Sequence, residues 1–239
     1  FASRRDQRKQ LDLLLKINEV HKQKRQAEGD LEARINSFEL AYRMQTDARE
    51  AFDIAGEKPE TVAKYGANAQ GRQMLIARRL LERGVRFVQV RQGGWDLHGG
   101  IAQRAANNAR QLDPAIGAIM DDLKERGLFE DTLIYITSEF GRSPTEDGGG
   151  GRSHNARGLS TVLMGGGIKG GIAYGSTDEI GGAAVENKVH VKDIHATVMD
   201  LLGFDHEQLT YRTAGRDFRL TQATRSLPQG GMPVKGIIA

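Results

Sequence analysis

The chain has 239 residues, 38% of them hydrophobic and 27% charged, enough for one sizeable α/β core or a core with a helical appendage. It contains no cysteine, which excludes disulfides and thiolate metal sites and leaves His and carboxylate as the strong ligands. The net charge of +3 is small and spread out, so it singles out no nucleic-acid partner, and no stretch reaches the ~20 apolar residues of a membrane span.

Residues 1–84 read as a helical segment. The first residue is Phe1, which is expected of a chain that has lost a leader or is a piece of a longer one. Ser3-Arg4-Arg5 is not a twin-arginine signal, because the apolar run after it is short and carries Asp12 and Lys16. Leu11, Leu14, Leu15 and Asn18 follow a helical spacing. Leu31, Ile35, Phe38 and Tyr42 share one face of a second helix, with Asp30 as its N-cap. The basic cluster Lys22, Lys24 and Arg25 reads as a solvated helix face, with anion binding as the alternative. A third helix is predicted over about 73–83, stopping at Gly84.

The period then changes. Val85 to Val90 is a β-branched and aromatic run that predicts a strand. Leu112, Ile116, Ile119 and Leu123 mark a helix that Pro114 kinks or restarts and Gly127 ends. Thr132 to Thr137 is a strand of nearly continuous hydrophobicity, as in a buried parallel sheet. Residues 141–158 read as a polar, glycine-rich loop, Thr161 to Met164 as a third strand, and Gly165 to Gly167 as a turn with Lys169 beyond it. The last helix runs from about Ile194 to Leu202, capped by Asp193 and stopped by Gly203. This alternation predicts an α/β fold with a mostly parallel sheet and flanking helices over 85–222, followed by a tail over 223–239.

In such a sheet, ligands bind beyond the carboxyl ends of the strands. The first strand is followed by Trp95-Asp96-Leu97-His98 between two glycine pairs, and the second by Ser138-Glu139-Phe140-Gly141-Arg142. The next loop carries Arg152-Ser153-His154. Asp96, His98, Glu139 and His154 therefore form a candidate divalent-metal set. The competing reading makes Asp96 a helix cap and the two histidines ordinary loop residues. Ser138 and Ser153 have no base placed by sequence and are expected to bond nearby backbone. His195 is expected on a helix surface or in helix packing. Trp95, the only Trp, either walls the site or packs.

The stretch from Leu123-Lys124-Glu125-Arg126-Gly127-Leu128 through Ile134-Tyr135-Ile136-Thr137-Ser138-Glu139-Phe140-Gly141 resembles the alkaline phosphatase and sulfatase superfamily. There a strand leads into Ser-Asp-His-Gly or Ser-Asp-Asn-Gly, whose Asp binds metal. Asp193 to Gly203 resembles the last sulfatase helix. Trp-Asp-x-His, Glu-Phe-Gly-Arg, Gly-Arg-x-His and the segment Phe38 to Gln45 resemble more closely a branch of it, the domain-of-unknown-function family numbered fifteen-zero-one, over about residues 9–221.

The resemblance implies a metal-dependent hydrolase of phosphate or sulfate esters, acting on a small-molecule or polysaccharide ester. Asp96, His98 and His154 would hold one metal (Zn, Mn, Mg or Ca) and Glu139 a second. Arg142 or Arg152 would clamp the ester oxygens. Glu139 and Arg142 are the candidate catalytic residues. Phe140 departs from the pattern, since a His or Asn ligand is usual there. The superfamily's nucleophile and a further Asp ligand belong to an earlier strand, expected upstream of Phe1. Export is expected from the resemblance alone. The alternatives are a binding or structural member that has lost the chemistry and, third, a metal-dependent phosphotransferase of the phosphoglycerate mutase kind.

Overall fold

The computed structural model describes residues 6, 8–10, 12–17, 37–38, 49–225 and 228–239. The chain divides into two compact units, one of residues 1–57 with 79–88, the other of 58–78 with 89–239. In the first unit residues 12–17 are helical, as the spacing predicts, and Phe38 is helical and exposed. Leu11, Asn18, Leu31, Ile35, Tyr42, the Asp30 cap and the basic cluster Lys22, Lys24 and Arg25 lie outside the described residues. A short helix, Arg49–Phe52, is tied down by Arg79, which donates to the carbonyls of Ala51 (3.0 Å) and Glu50 (2.5 Å) and pairs with the Glu57 carboxylate.

The second unit is mixed α/β, with several helices and small antiparallel sheets. Its helices are α1 (Pro59–Tyr65), α2 (Ala69–Leu81, of which residues 79–81 count with the first unit), α3 (Ile101–Glu125) and α4 (Val191–Leu201). Its strands are β1 (Leu133–Ile136), β2 (Gly141–Glu146), β3 (Arg152–Asn155), β4 (Val162–Gly165), β5 (Ser176–Thr177), β6 (Ala184–Glu186), β7 (Tyr211–Thr213) and β8 (Arg216–Phe218). They pair in twos, β1 with β4, β2 with β3, β5 with β6 and β7 with β8, all antiparallel.

The sheet differs from the expected parallel one in two ways. Strand β1 faces β4 antiparallel, Leu133 opposite Gly165 and Ile136 opposite Val162. The connection between them is a hairpin excursion, whereas a parallel return needs a crossover, usually a helix. Residues 85–90 form no ladder, and Phe87 is exposed. β-propensity describes a fit to a pleated, half-covered surface, so a β-branched run with no neighbouring strand stays unpaired. The expected loop 141–158 is largely the β2–β3 hairpin; its strands escape a reading by apolar alternation because they are polar throughout.

Helix α3 continues through Pro114 and does not restart after it. Burial of Ala115, Ala118, Ile119 and Leu123 on one face offsets the ~3 kcal/mol that an interior proline costs. Helix α4 starts earlier than expected. Its N-cap is His190, whose ring accepts from Lys192 N, while Asp193 sits at the third helical position and accepts from His190 N at 2.7 Å. That is a capping box, so Asp193 closes the end from inside the helix. The residues set apart as a tail pack onto α4: Val234 N donates to Thr197 Oγ1 (2.9 Å), Met232 N to Asp193 Oδ1 (2.9 Å), and Val234 and Ile237 are buried. Gly165, Gly166 and Gly167 all have positive φ and form the expected turn, against which the chain's last residues lie. Among the described residues no helix is long and apolar enough to cross a membrane.

One buried carboxylate joins α1, α2 and α3. Asp122, only 4% exposed, accepts from the Tyr65 hydroxyl at 2.9 Å and lies 3.4 Å from the buried Arg78 Nε and 3.6 Å from Lys64 Nζ. Burial, followed by the hydrogen bond to this carboxylate, pushes the Tyr65 phenol pKa up. Removing one partner of a buried ion pair strands the other charge. Asp122→Ala is therefore expected to lower the unfolding free energy by about 3–5 kcal/mol in urea titrations. Lys64→Ala, at the open edge of the same cluster, is expected to cost about 0–1 kcal/mol.

Candidate metal centre

The segment between residue 89 and α3 and the β2–β3 hairpin meet through their backbones. Arg152 N donates to Leu97 O (3.0 Å), Gly100 N to Gly149 O (2.9 Å) and Ile101 N to Gly150 O (3.1 Å). Gly151 makes this approach feasible. A Cβ there would lie 2.0 Å from the His98 carbonyl carbon and 2.1 Å from its oxygen. Leu97, 2% exposed, anchors the segment between two residues whose side chains face solvent, Asp96 and His98. In the hairpin register Arg142 is opposite His154, so one rung of the ladder delivers both side chains.

Asp96, His98 and His154 come together. Asp96 Oδ1 is 3.0 Å from His98 Nε2 and 3.0 Å from His154 Nε2, and the two ring nitrogens are 3.2 Å apart. Among the described residues this is the one group of three or more His, Cys, Asp or Glu placed to hold a metal ion, and all three members are exposed. The donor set fits a divalent ion. Ligands at the usual ~2.0–2.1 Å from zinc lie roughly 3.3 Å apart in a tetrahedral shell, close to the spacing found. The other ring nitrogen of His98, Nδ1, is 2.7 Å from Asp147 Oδ2.

Arg142 Nη1 donates to Asp96 Oδ1 at 2.7 Å, and its Nη2 is 3.8 Å from Glu139 Oε1. Glu139 thus stands beside the three-residue group without joining it, linked to it by the guanidinium. The Phe140 ring packs on the His154 imidazole, with centroids 4.1 Å apart, and under the Arg142 guanidinium at 5.5 Å. Arg152 points elsewhere, its Nη1 donating to the adjacent Gly151 carbonyl. Asp96 does not cap α3, whose N-cap is Gly100 in the left-handed conformation. Ser138 Oγ donates to Phe140 O at 2.8 Å, the local backbone bond expected of it. His195 is exposed on α4, and Trp95 Nε1 donates to Gln92 Oε1 at 3.0 Å. Sequence reasoning missed Asp147, which stands in a loop of glycines with no motif of its own.

The comparisons with known proteins give one family. The model of the family described as "Protein of unknown function (DUF1501)" matches residues 2–229, and the chain belongs to that family. No curated protein and no solved structure matches the chain.

The electrostatics are readable by titration. Hydrogen bonds from Arg142, then from His154, hold the Asp96 carboxyl down at about 2. The Asp147 hydrogen bond, then the Asp96 charge, raises the His98 imidazole above its ordinary value of 6.5 against the opposing effect of desolvation. A depressed carboxylate adds stability above its unfolded pKa, lost as pH falls through about 2; a raised imidazole adds stability below about 6.5, lost as pH rises through its folded value. The metal-free cluster is thus best held between pH ~4 and ~6.5. NMR titration should show His98 deprotonating above the ordinary imidazole range, and Arg142→Ala should return the Asp96 midpoint towards 3.8.

Proposed function

We propose that the Asp96, His98 and His154 cluster binds a divalent metal ion and serves a hydrolase of phosphate or sulfate esters, on a small molecule or polysaccharide. The observation that carries the reading is the convergence of one carboxylate oxygen and two imidazole nitrogens at 3.0–3.2 Å, from residues 58 positions apart. Two imidazoles favour zinc or a similar transition metal over magnesium or calcium, which prefer all-oxygen shells. The motif pattern around Ser138-Glu139-Phe140-Gly141 supports placing the family in the alkaline phosphatase and sulfatase superfamily, with its larger, mostly parallel sheet.

A metal held here would supply Lewis acidity to an ester oxyanion and to the leaving oxygen. The chain's own residues complete the binding. The Arg142 guanidinium, already at the cluster, is placed to grip two oxygens of a tetrahedral anion as a planar fork. Glu139, exposed and held only at 3.8 Å by Arg142, is free to accept a proton or to ligate a second ion. Phe140 keeps the His154 ring in place on one side.

A second reading has its own support. The resemblance puts a His or Asn ligand where Phe140 stands, and here that ring is stacked on His154. A member with one metal and no hydrolysis, acting as a binding protein, fits that substitution.

Elemental analysis and calorimetric titration test the metal. The wild-type chain, supplied in turn with Zn²⁺, Mn²⁺, Mg²⁺ and Ca²⁺, should retain one ion of at least one of them. Asp96→Ala and His98→Ala should each abolish that binding with the fold intact. For the reaction, the protein as its host makes it should hydrolyse an aryl phosphate or aryl sulfate, and Glu139→Gln should be much slower. A wild-type protein that stays metal-free with all four ions sinks the hydrolase reading. Metal without turnover puts the binding-protein reading ahead.

A further inference from the structure

Beside the three-residue cluster stands Asp147, in the Gly-rich turn of the β2–β3 hairpin, with Oδ2 2.7 Å from His98 Nδ1. We propose that Asp147 is a positioning residue: its carboxylate fixes the His98 ring so that Nε2 presents a bare lone pair to the metal centre. The inference rests on the metal-binding reading above.

The geometry carries it in three steps. Both ring nitrogens of His98 face a carboxylate, Nδ1 facing Asp147 Oδ2 at 2.7 Å and Nε2 facing Asp96 Oδ1 at 3.0 Å, and the shorter contact takes the one proton of the neutral ring, on Nδ1. Nε2, on the opposite side of the ring, is then unprotonated and lies 3.0 Å from Asp96 Oδ1 and 3.2 Å from His154 Nε2, where a cation would sit. The turn itself is shaped to reach His98. Gly148, Gly149 and Gly150 all have positive φ, Asp147 N donates to Gly151 O at 3.1 Å, and Glu146 Oε1 accepts from Gly150 N at 2.8 Å. The same turn makes the backbone bonds that dock the hairpin beside His98. One segment thus brings His154 to the cluster and orients the histidine it meets. An imidazole locked in one tautomer and rotamer binds metal without first losing ring freedom, and partners of this kind change affinity 10–100-fold.

Two readouts test this, one of which needs no metal. In the metal-free protein, nitrogen-15 NMR of the imidazoles should show His98 with its proton on Nδ1, and Asp147→Ala should shift it towards the Nε2–H form. In calorimetric titration with Zn²⁺, Asp147→Ala should bind about 10–100-fold more weakly than wild type with an unchanged circular dichroism spectrum, and Asp147→Glu should recover part of the loss. Wild-type His98 carrying its proton on Nε2, or Asp147→Ala binding Zn²⁺ as tightly as wild type, overturns the proposal. Asp147→Glu no better than Asp147→Ala also counts against it. A wild-type protein with the expected tautomer and no affinity for any divalent ion overturns the metal reading and leaves the ring-orienting bond standing.

Discussion

The hydrogen bonds that seat Gly149–Arg152 on Leu97–Ile101 are the contact on which the candidate site depends. They join two stretches that share only the antiparallel bridge of Gly99 with Gly150, and they do so at van der Waals limits. Gly151 lies so close to the His98 carbonyl that any side chain would force the two backbones apart. Parting the two backbones there would separate His98 from His154 and Asp147 together. Both partners reach the cluster on the hairpin alone.

The other half of the site is held by a different kind of force. His98 stands just before α3, and the far end of α3 carries Asp122, buried among Tyr65, Arg78 and Lys64. The residues that α3 buries, Ala115 to Leu123, lie in its second half, and nearer its start Asn108 Nδ2 donates to Gly94 O at 2.7 Å and so ties the helix to the segment that carries Asp96 and His98. Buried Leu97 holds one wall of the centre; backbone hydrogen bonds from a glycine-rich turn hold the other. Asp96, His98 and His154 are themselves exposed, as the proposed binding of an ion and a charged ester would require.

How much of this was legible follows from the kind of signal involved. Helices α3 and α4 were readable from apolar periodicity, and Asp96, His98 and His154 from chemistry and glycine context. The hairpin was not, because its strands are polar and its pairing rests on backbone geometry. The strand expected at 85–90 was readable as composition only. Its residues favour a sheet, but a ladder needs a neighbour, and β1 found its partner in β4 by an antiparallel return. Asp147 was invisible for a related reason: its role depends on three consecutive left-handed glycines that bend it back to His98. Glu139, singled out with the candidate metal ligands, stands one guanidinium away from them.

X-ray absorption at the zinc edge on the zinc-loaded chain tests the central claim most directly. The account predicts a first shell containing two imidazole nitrogens at about 2.0–2.1 Å with oxygen completing it, and loss of one imidazole in His154→Ala. A shell made of oxygen alone, or one unchanged by that substitution, would contradict it.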